Sequence, residues 1–430
     1  MRSRELRQEI IRCVGFAGSA EERVRPLRGF SRREWESSLD WLNLSGLALT
    51  FWNRLQGIGA ENDVPAFVSA LLAESLSENR RRVDAMMPEF DLLNQRFERA
   101  GIEYVVWKGF ALVPEYCPDA SLRPTYDYDY LIHLGRWNDA REVLEAAGYF
   151  PKQEGETGPH LTFVQRRSSL RAAHPASSLY APTLERKVEL HLTPWDEEAF
   201  RISLEIPHRP WDRKIRRSWR GITFFSLTPQ DTFVYQTVHA FQHILHNWCR
   251  LGWLFEIAYY LEHRAADSTF WEDLTQSLGN NSTLREITAL VISLASALFG
   301  ARVPIAVKSK LTGAMRSQVA LWLRHYGIRA ALDNFSRDKS SLLLYREFVP
   351  DESAWKQIRR SRLLPVHRPN RVPGAAAVSR SNLIPQRWTQ AWYVMTRLIH
   401  HSLRGASYAW ESARWSRLRR LSADRVLSQG

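Results

Sequence analysis

The pattern of apolar positions changes sharply near residue 101. Before it, the spacing is helical: Leu39, Leu42, Leu47, Leu49 and Trp52 mark one helix over 38–55. Pro65 opens a second helix that reaches Ala100, with a break or kink expected at Pro88. Gly101 suits its C-terminal cap. Tyr104-Val-Val-Trp107 is then a short apolar run ending in Lys108-Gly109, which predicts a strand feeding a tight turn. Helical spacing is expected over Phe110–Tyr116, a strand over Asp127–His133, and a helix over Trp137–Ala147 closed by Gly148.

A polar stretch from Lys152 to Pro159 reads as a loop, and Leu161–Gln165 as a strand. Arg186–Leu192 alternates, with Val188, Leu190 and Leu192 on one face and Lys187, Glu189 and His191 on the other. Ile222–Phe225 adds a short strand. Thr228-Pro-Gln-Asp231 then carries a helix start, with Thr as N-cap and Pro at the first position. Helical texture continues to about Asn334. Leu363–Ser381, rich in Pro and Arg, reads as a linker, and Pro385–Val426 as a basic amphipathic helix. No internal repeat is visible.

Composition is ordinary for a globular protein, with 44% hydrophobic and 24% charged residues in a 430-residue chain. Three dispersed cysteines, Cys13, Cys117 and Cys249, lack metal-ligand spacing and argue against a disulfide framework, so a reducing cytoplasm is expected. The N-terminus has no apolar core of a signal peptide. Ile287–Ala301 is the longest uncharged apolar stretch; it is shorter than the ~20 residues of a membrane span and reads as a buried helix. Of the net charge of +13, +12 falls in residues 352–430, where fifteen Lys and Arg face Glu352, Glu411 and Asp424. The body is therefore close to neutral, and a globally basic nucleic-acid-binding fold is not indicated.

The chemistry points to Asp127-Tyr-Asp129. Residues i and i+2 of a strand share a face, so two carboxylates lie about 7 Å apart at their α-carbons, where they can chelate a hard divalent cation. Glu189, an acid within an apolar strand, is placed to be a third ligand if its strand neighbours the first. Three carboxylates holding two ions suit an in-line phosphoryl displacement. Such an acid pair is also common in surface strands and turns.

Lys108-Gly-Phe-Ala-Leu112, Tyr116, Arg123, Asp127-Tyr-Asp129 and Val188-Glu-Leu-His191 together resemble the motifs of the bacterial uncharacterised nucleotidyltransferase family, within the DNA-polymerase-beta-like superfamily. The resemblance spans about Trp35 to Arg368, with its specific motifs confined to 108–131 and 189–191. It implies an α+β fold, a minimal nucleotidyltransferase core with a mixed sheet at 101–226. Around the core lie a helical N-terminal region at 1–100, a helical domain at 227–362 and a linker with basic helical tail at 363–430. It also implies Mg²⁺, as two ions on Asp127, Asp129 and Glu189, with Glu189 as base by analogy. Lys108, the Gly109 turn and Arg123 are then the contacts to the phosphates of an NTP. The implied reaction moves a nucleoside monophosphate to an acceptor hydroxyl on a small molecule, peptide or RNA. A toxin-like transferase acting on an RNA end, and a non-catalytic scaffold with a degenerate core, are the alternatives. This chain lacks the Gly-Ser pair typical of the superfamily, and Lys108-Gly109 stands in its place.

His191 shares a strand face with Glu189 and reads as a group behind the metal ligands, or as a surface histidine. His239, His243 and His246 fall on one helix face; His239 and His243 are candidate substrate-facing residues. In the tail, Trp388, Trp392, Tyr393, Tyr408, Trp410 and Trp415 interleave with arginines including Arg387, Arg397 and Arg404. A helical cap on the body, an interfacial membrane helix and a clamp for an anionic partner all fit, the cap best.

Overall fold

The computed structural model describes residues 2–152, 158–165, 179–181, 185–206, 211–333, 339–364 and 383–427. Residues 153–157 of the expected Lys152–Pro159 loop and nearly all of the Leu363–Ser381 linker lie outside them. The fold is α+β and the chain divides into two compact units. One comprises Met1–Ala199, Ser203–Gln242 and Cys249–Met315; the other comprises Phe200–Ile202, His243–Trp248 and Arg316–Gly430.

The first unit is built on a mixed sheet of strands β1 (Tyr104–Val106), β2 (Asp127–Ile132), β3 (Tyr149–Pro151), β4 (His160–Gln165), β5 (Lys187–His191), β6 (Ile215–Trp219) and β7 (Ile222–Ser226). Their order is β3-β4-β5-β2-β1-β7-β6. β2 runs parallel to β5 and antiparallel to β1, and β4 runs antiparallel to β5. Strands β3 and β6 carry too little alternation to stand out in the sequence.

One face of the sheet packs on the helix Ala66–Arg99. Met86, Phe90, Leu93 and Phe97 of that helix join Tyr128, Tyr130, Val188 and Leu190 in a single buried cluster. Tyr128 Oη donates to Glu89 at 3.0 Å and Tyr130 Oη to Asn94 at 2.9 Å, so the buried phenols are satisfied without water. Because side chains alternate along a strand, burial of Tyr128, Tyr130, Val188 and Leu190 sends Asp127, Asp129, Glu189 and His191 to the opposite face. A one-residue slip would turn the acids into the apolar cluster, so the hydrophobic cluster fixes the register of the polar residues.

Three local expectations change. The helix over 38–55 is two helices, Arg32–Leu44 and Ala48–Gly57, parted where Gly46 takes φ +77°. A side chain is also excluded across this turn, since a Cβ on Gly252 would lie 2.9 Å from the Gly46 carbonyl oxygen. The helix Ala66–Arg99 continues without a break through Pro88. Phe110–Tyr116 forms the tight turn Gly109–Leu112 followed by a second turn rather than a continuous helix, because Pro114 has no N–H and Val113 is extended (φ −99°, ψ 137°).

Helix Ser282–Phe299 is long and apolar enough by composition to cross a membrane, yet 61% of it is buried within the protein. In the second unit, helix Leu383–Leu427 buries Trp415 and Glu411 against Tyr326 and Arg329, while Trp388, Trp392 and Trp410 stay exposed.

Candidate functional site

The register places the acids in one row. Asp129 on β2 lies directly opposite Glu189 on β5, and Asp127 opposite Lys187. One carboxylate oxygen from each of Asp127, Asp129 and Glu189 lies within 4.8 Å of the other two. The strand spacing read from sequence is thus realised, and the third acid comes from the neighbouring strand.

Lys108 enters from the end of β1. Gly109 takes φ +61°, a conformation that L side chains rarely adopt, and the chain turns there so that the lysine points back over the sheet. Its Nζ lies 2.9 Å from Asp129 Oδ1 and 4.4 Å from the centre of the Trp107 ring. Gln236 of the helix Pro229–Leu245 donates to the Trp107 carbonyl at 3.0 Å, which ties down the strand end. That helix begins as expected, with the Asp231 N–H bonded to Thr228 Oγ1.

Two histidines complete the row. His191 Nε2 donates to Asp129 Oδ1 at 3.2 Å, and its ring meets Trp107 edge-on at 4.8 Å. His160 on β4 sits opposite His191 and places Nε2 3.1 Å from Glu189 Oε2. His160 escaped the sequence reading because only the pairing of β4 with β5 brings it here.

Arg123 is engaged by an acid of a distant helix. Its Nε lies 2.6 Å from Glu256 Oε1, and both side chains are buried. Asn79 of the long helix donates to the carbonyls of Ser121 and Arg123, at 2.6 and 3.0 Å, and so holds the loop. An acid inside the apolar run Leu254-Phe-Glu-Ile-Ala258 was the available signal for Glu256. His239 is buried near Trp107 and Trp253, at 6.2 and 4.9 Å between ring centres, so Trp107 stands between it and His191. His243 falls in the second unit.

The electrostatics set the two aspartates apart. Burial, then the neighbouring Asp129 and Glu189 carboxylates, push the Asp127 carboxyl up to about 7. Burial acts the same way on Asp129, but the Lys108 ammonium and the His191 N–H outweigh it and hold that carboxyl well below its usual range. Burial of Glu189 is likewise outweighed by its bond from His160, and its carboxyl is lowered. Burial and Lys108 push His191 down to about 4, leaving it neutral at physiological pH.

Three carboxylates against one ammonium leave a surplus of negative charge that a divalent cation would balance. The donor set is all oxygen, as Mg²⁺ prefers. On both counts Asp127, Asp129 and Glu189 fit such an ion.

The sequence matches the uncharacterised nucleotidyltransferase family over residues 31–300, well over half of the chain. No curated protein and no solved structure gives a significant match.

Proposed function

Since the chain belongs to the uncharacterised nucleotidyltransferase family, we propose that it is a Mg²⁺-dependent enzyme transferring a nucleoside monophosphate from an NTP to an acceptor hydroxyl. The observation that carries this reading is the convergence of Asp127, Asp129 and Glu189 oxygens within 4.8 Å. These residues would hold the cation. When bound, it supplies Lewis-acid stabilisation of charge on the phosphate oxygens.

The chain's own groups divide the remaining work. Lys108 stands beside the acids and provides a point charge for the triphosphate, exchanging Asp129 for a phosphate oxygen. Its turn at Gly109 offers backbone N–H groups to the same anion. The acceptor oxygen forms its bond to the α-phosphorus, the bond to the β-phosphate oxygen breaks, and pyrophosphate departs. The hydroxyl proton passes to the carboxylate cluster. Arg123, paired with Glu256, adds positive potential near Asp127 and Asp129 rather than a free guanidinium.

A transfer screen with α-labelled NTPs against small-molecule, peptide and RNA pools tests this directly. Label in one pool, with Mg²⁺-dependent pyrophosphate release that Asp127→Asn abolishes, is the expected result. Label transfer that survives both chelation and the Asp127→Asn change would refute the assignment.

A further inference from the structure

Glu189 takes part in two metal-competent groups. One is the carboxylate triplet; the other is His160, Glu189 and His191, whose ligand atoms also lie within 4.8 Å of one another. We infer that this second group is a separate binding position for a divalent transition-metal ion of the Zn²⁺ class, sharing Glu189 with the carboxylate position. It rests on the nucleotidyltransferase reading only for its use in that reaction; the binding position itself stands on these residues.

The distances support it. His160 Nε2 and His191 Nε2 lie 3.1 and 3.7 Å from the same oxygen, Glu189 Oε2. With metal–ligand bonds of about 2.1 Å, tetrahedral ligands stand about 3.4 Å apart. The two nitrogen–oxygen distances therefore already lie near the edge length of a coordination polyhedron. Such an ion needs little movement of the strands.

Preorganisation and access agree. The two residues face each other across the β4/β5 ladder. The His191 ring is held edge-on by Trp107, and the two imidazoles lie 4.6 Å apart. The His160 side chain is 43% exposed, which leaves an entry path for an ion. With an ion bound, each neutral ring would carry its proton on Nδ1 and present the Nε2 lone pair, so His191 would give up its Nε2–H bond to Asp129.

The donor chemistry separates the two positions. Imidazole nitrogen suits Zn²⁺ and related ions, whereas Mg²⁺ strongly favours oxygen. An ion at the histidine position would leave Asp127 out of its ligand set, and one at the carboxylate position would leave out His160.

Titration of the metal-free full chain with Zn²⁺, and with Co²⁺ as a spectroscopic probe, tests the inference. His160→Gln keeps a donor for Glu189 but is a poor metal ligand, and the exposed side chain makes its loss tolerable to the fold. It should weaken Zn²⁺ and Co²⁺ binding at least about tenfold and remove nitrogen-ligand bands from the Co²⁺ spectrum. Asp127→Asn should retain both. Equal Zn²⁺ affinity in wild type and His160→Gln, equal loss in Asp127→Asn, or no tight Zn²⁺ binding at all would overturn the position. Mg²⁺–NTP binding measured on the same proteins keeps the readings apart: its absence beside His160-dependent Zn²⁺ binding defeats the transferase reading alone.

Discussion

Lys108 and Asp129 form a buried ion pair, with Nζ 2.9 Å from Oδ1. Asp127, two residues earlier on the same strand face, has no such partner among the described residues and carries the strain of the cluster's like charges. Two aspartates that look equivalent in sequence therefore differ in what their removal does. In metal-free protein Asp127→Asn should leave the melting temperature unchanged or raised, because a repelled charge is lost. Asp129→Asn should lower it, since stranding one partner of a buried pair costs about 3–5 kcal/mol. Both should lose transfer activity. Calorimetry in chelator, with the transfer assay alongside, checks the contrast.

Lys108→Met strands the other partner. The metal-free variant should be destabilised by a similar amount, and Mg²⁺ should restore it more than it stabilises wild type, because the cation replaces the missing charge near Asp129. Binding of Mg²⁺–NTP should weaken while nucleoside binding is unaffected. Melting curves with and without Mg²⁺ measure the first effect, and equilibrium binding the second. Wild-type behaviour in both would make Lys108 an ordinary turn lysine.

The pH dependence of stability has opposing parts. The Asp127 carboxyl, at about 7 in the fold against 3.8 when unfolded, contributes stability that is fully present below 3.8 and lost as pH rises through 7. His191, at about 4 in the fold against 6.5 unfolded, does the reverse: its stability is regained as pH rises between those values. The two offset one another in wild type. Asp127→Asn removes only the first, so it should gain stability relative to wild type as metal-free protein is taken from about pH 4 to about pH 7. Urea unfolding across that range measures the difference, and a constant difference would show that Asp127 titrates normally.

The second unit gives a packing prediction. Trp415 is 4% exposed against Tyr326, whereas Trp388 is 73% exposed. Trp415→Ala should cost about 3–5 kcal/mol, and Trp388→Ala should stay within about 0.5 kcal/mol. Chemical denaturation of both variants checks this. Equal effects would mean that the helix Leu383–Leu427 does not cap its unit through Trp415.

Much of the site was legible where chemistry follows short-range periodicity. Asp127 and Asp129 share a face because strands alternate, and Val188 and Leu190 announce that Glu189 lies on the polar side. What stayed hidden depends on long-range pairing. His160 reaches Glu189 only through the β4/β5 ladder, and Glu256 reaches Arg123 across 133 residues of chain. Neither distance is encoded in local pattern. The expected helix at Phe110–Tyr116 failed for a local reason, since Pro114 overrides its apolar spacing. The units also divide differently from a simple linear reading, because Phe200–Ile202 and His243–Trp248 fold with the C-terminal residues.

The central claim is that Asp127, Asp129 and Glu189 hold a cation that brings a nucleoside triphosphate to this sheet face. Equilibrium binding of each of the four labelled NTPs to the full chain, with Mg²⁺ and with chelator, tests it without knowledge of the acceptor. At least one NTP should bind in a Mg²⁺-dependent manner, and Asp127→Asn should weaken that binding at least about tenfold. Binding of none of the four, or binding indifferent to both chelation and Asp127→Asn, would contradict it.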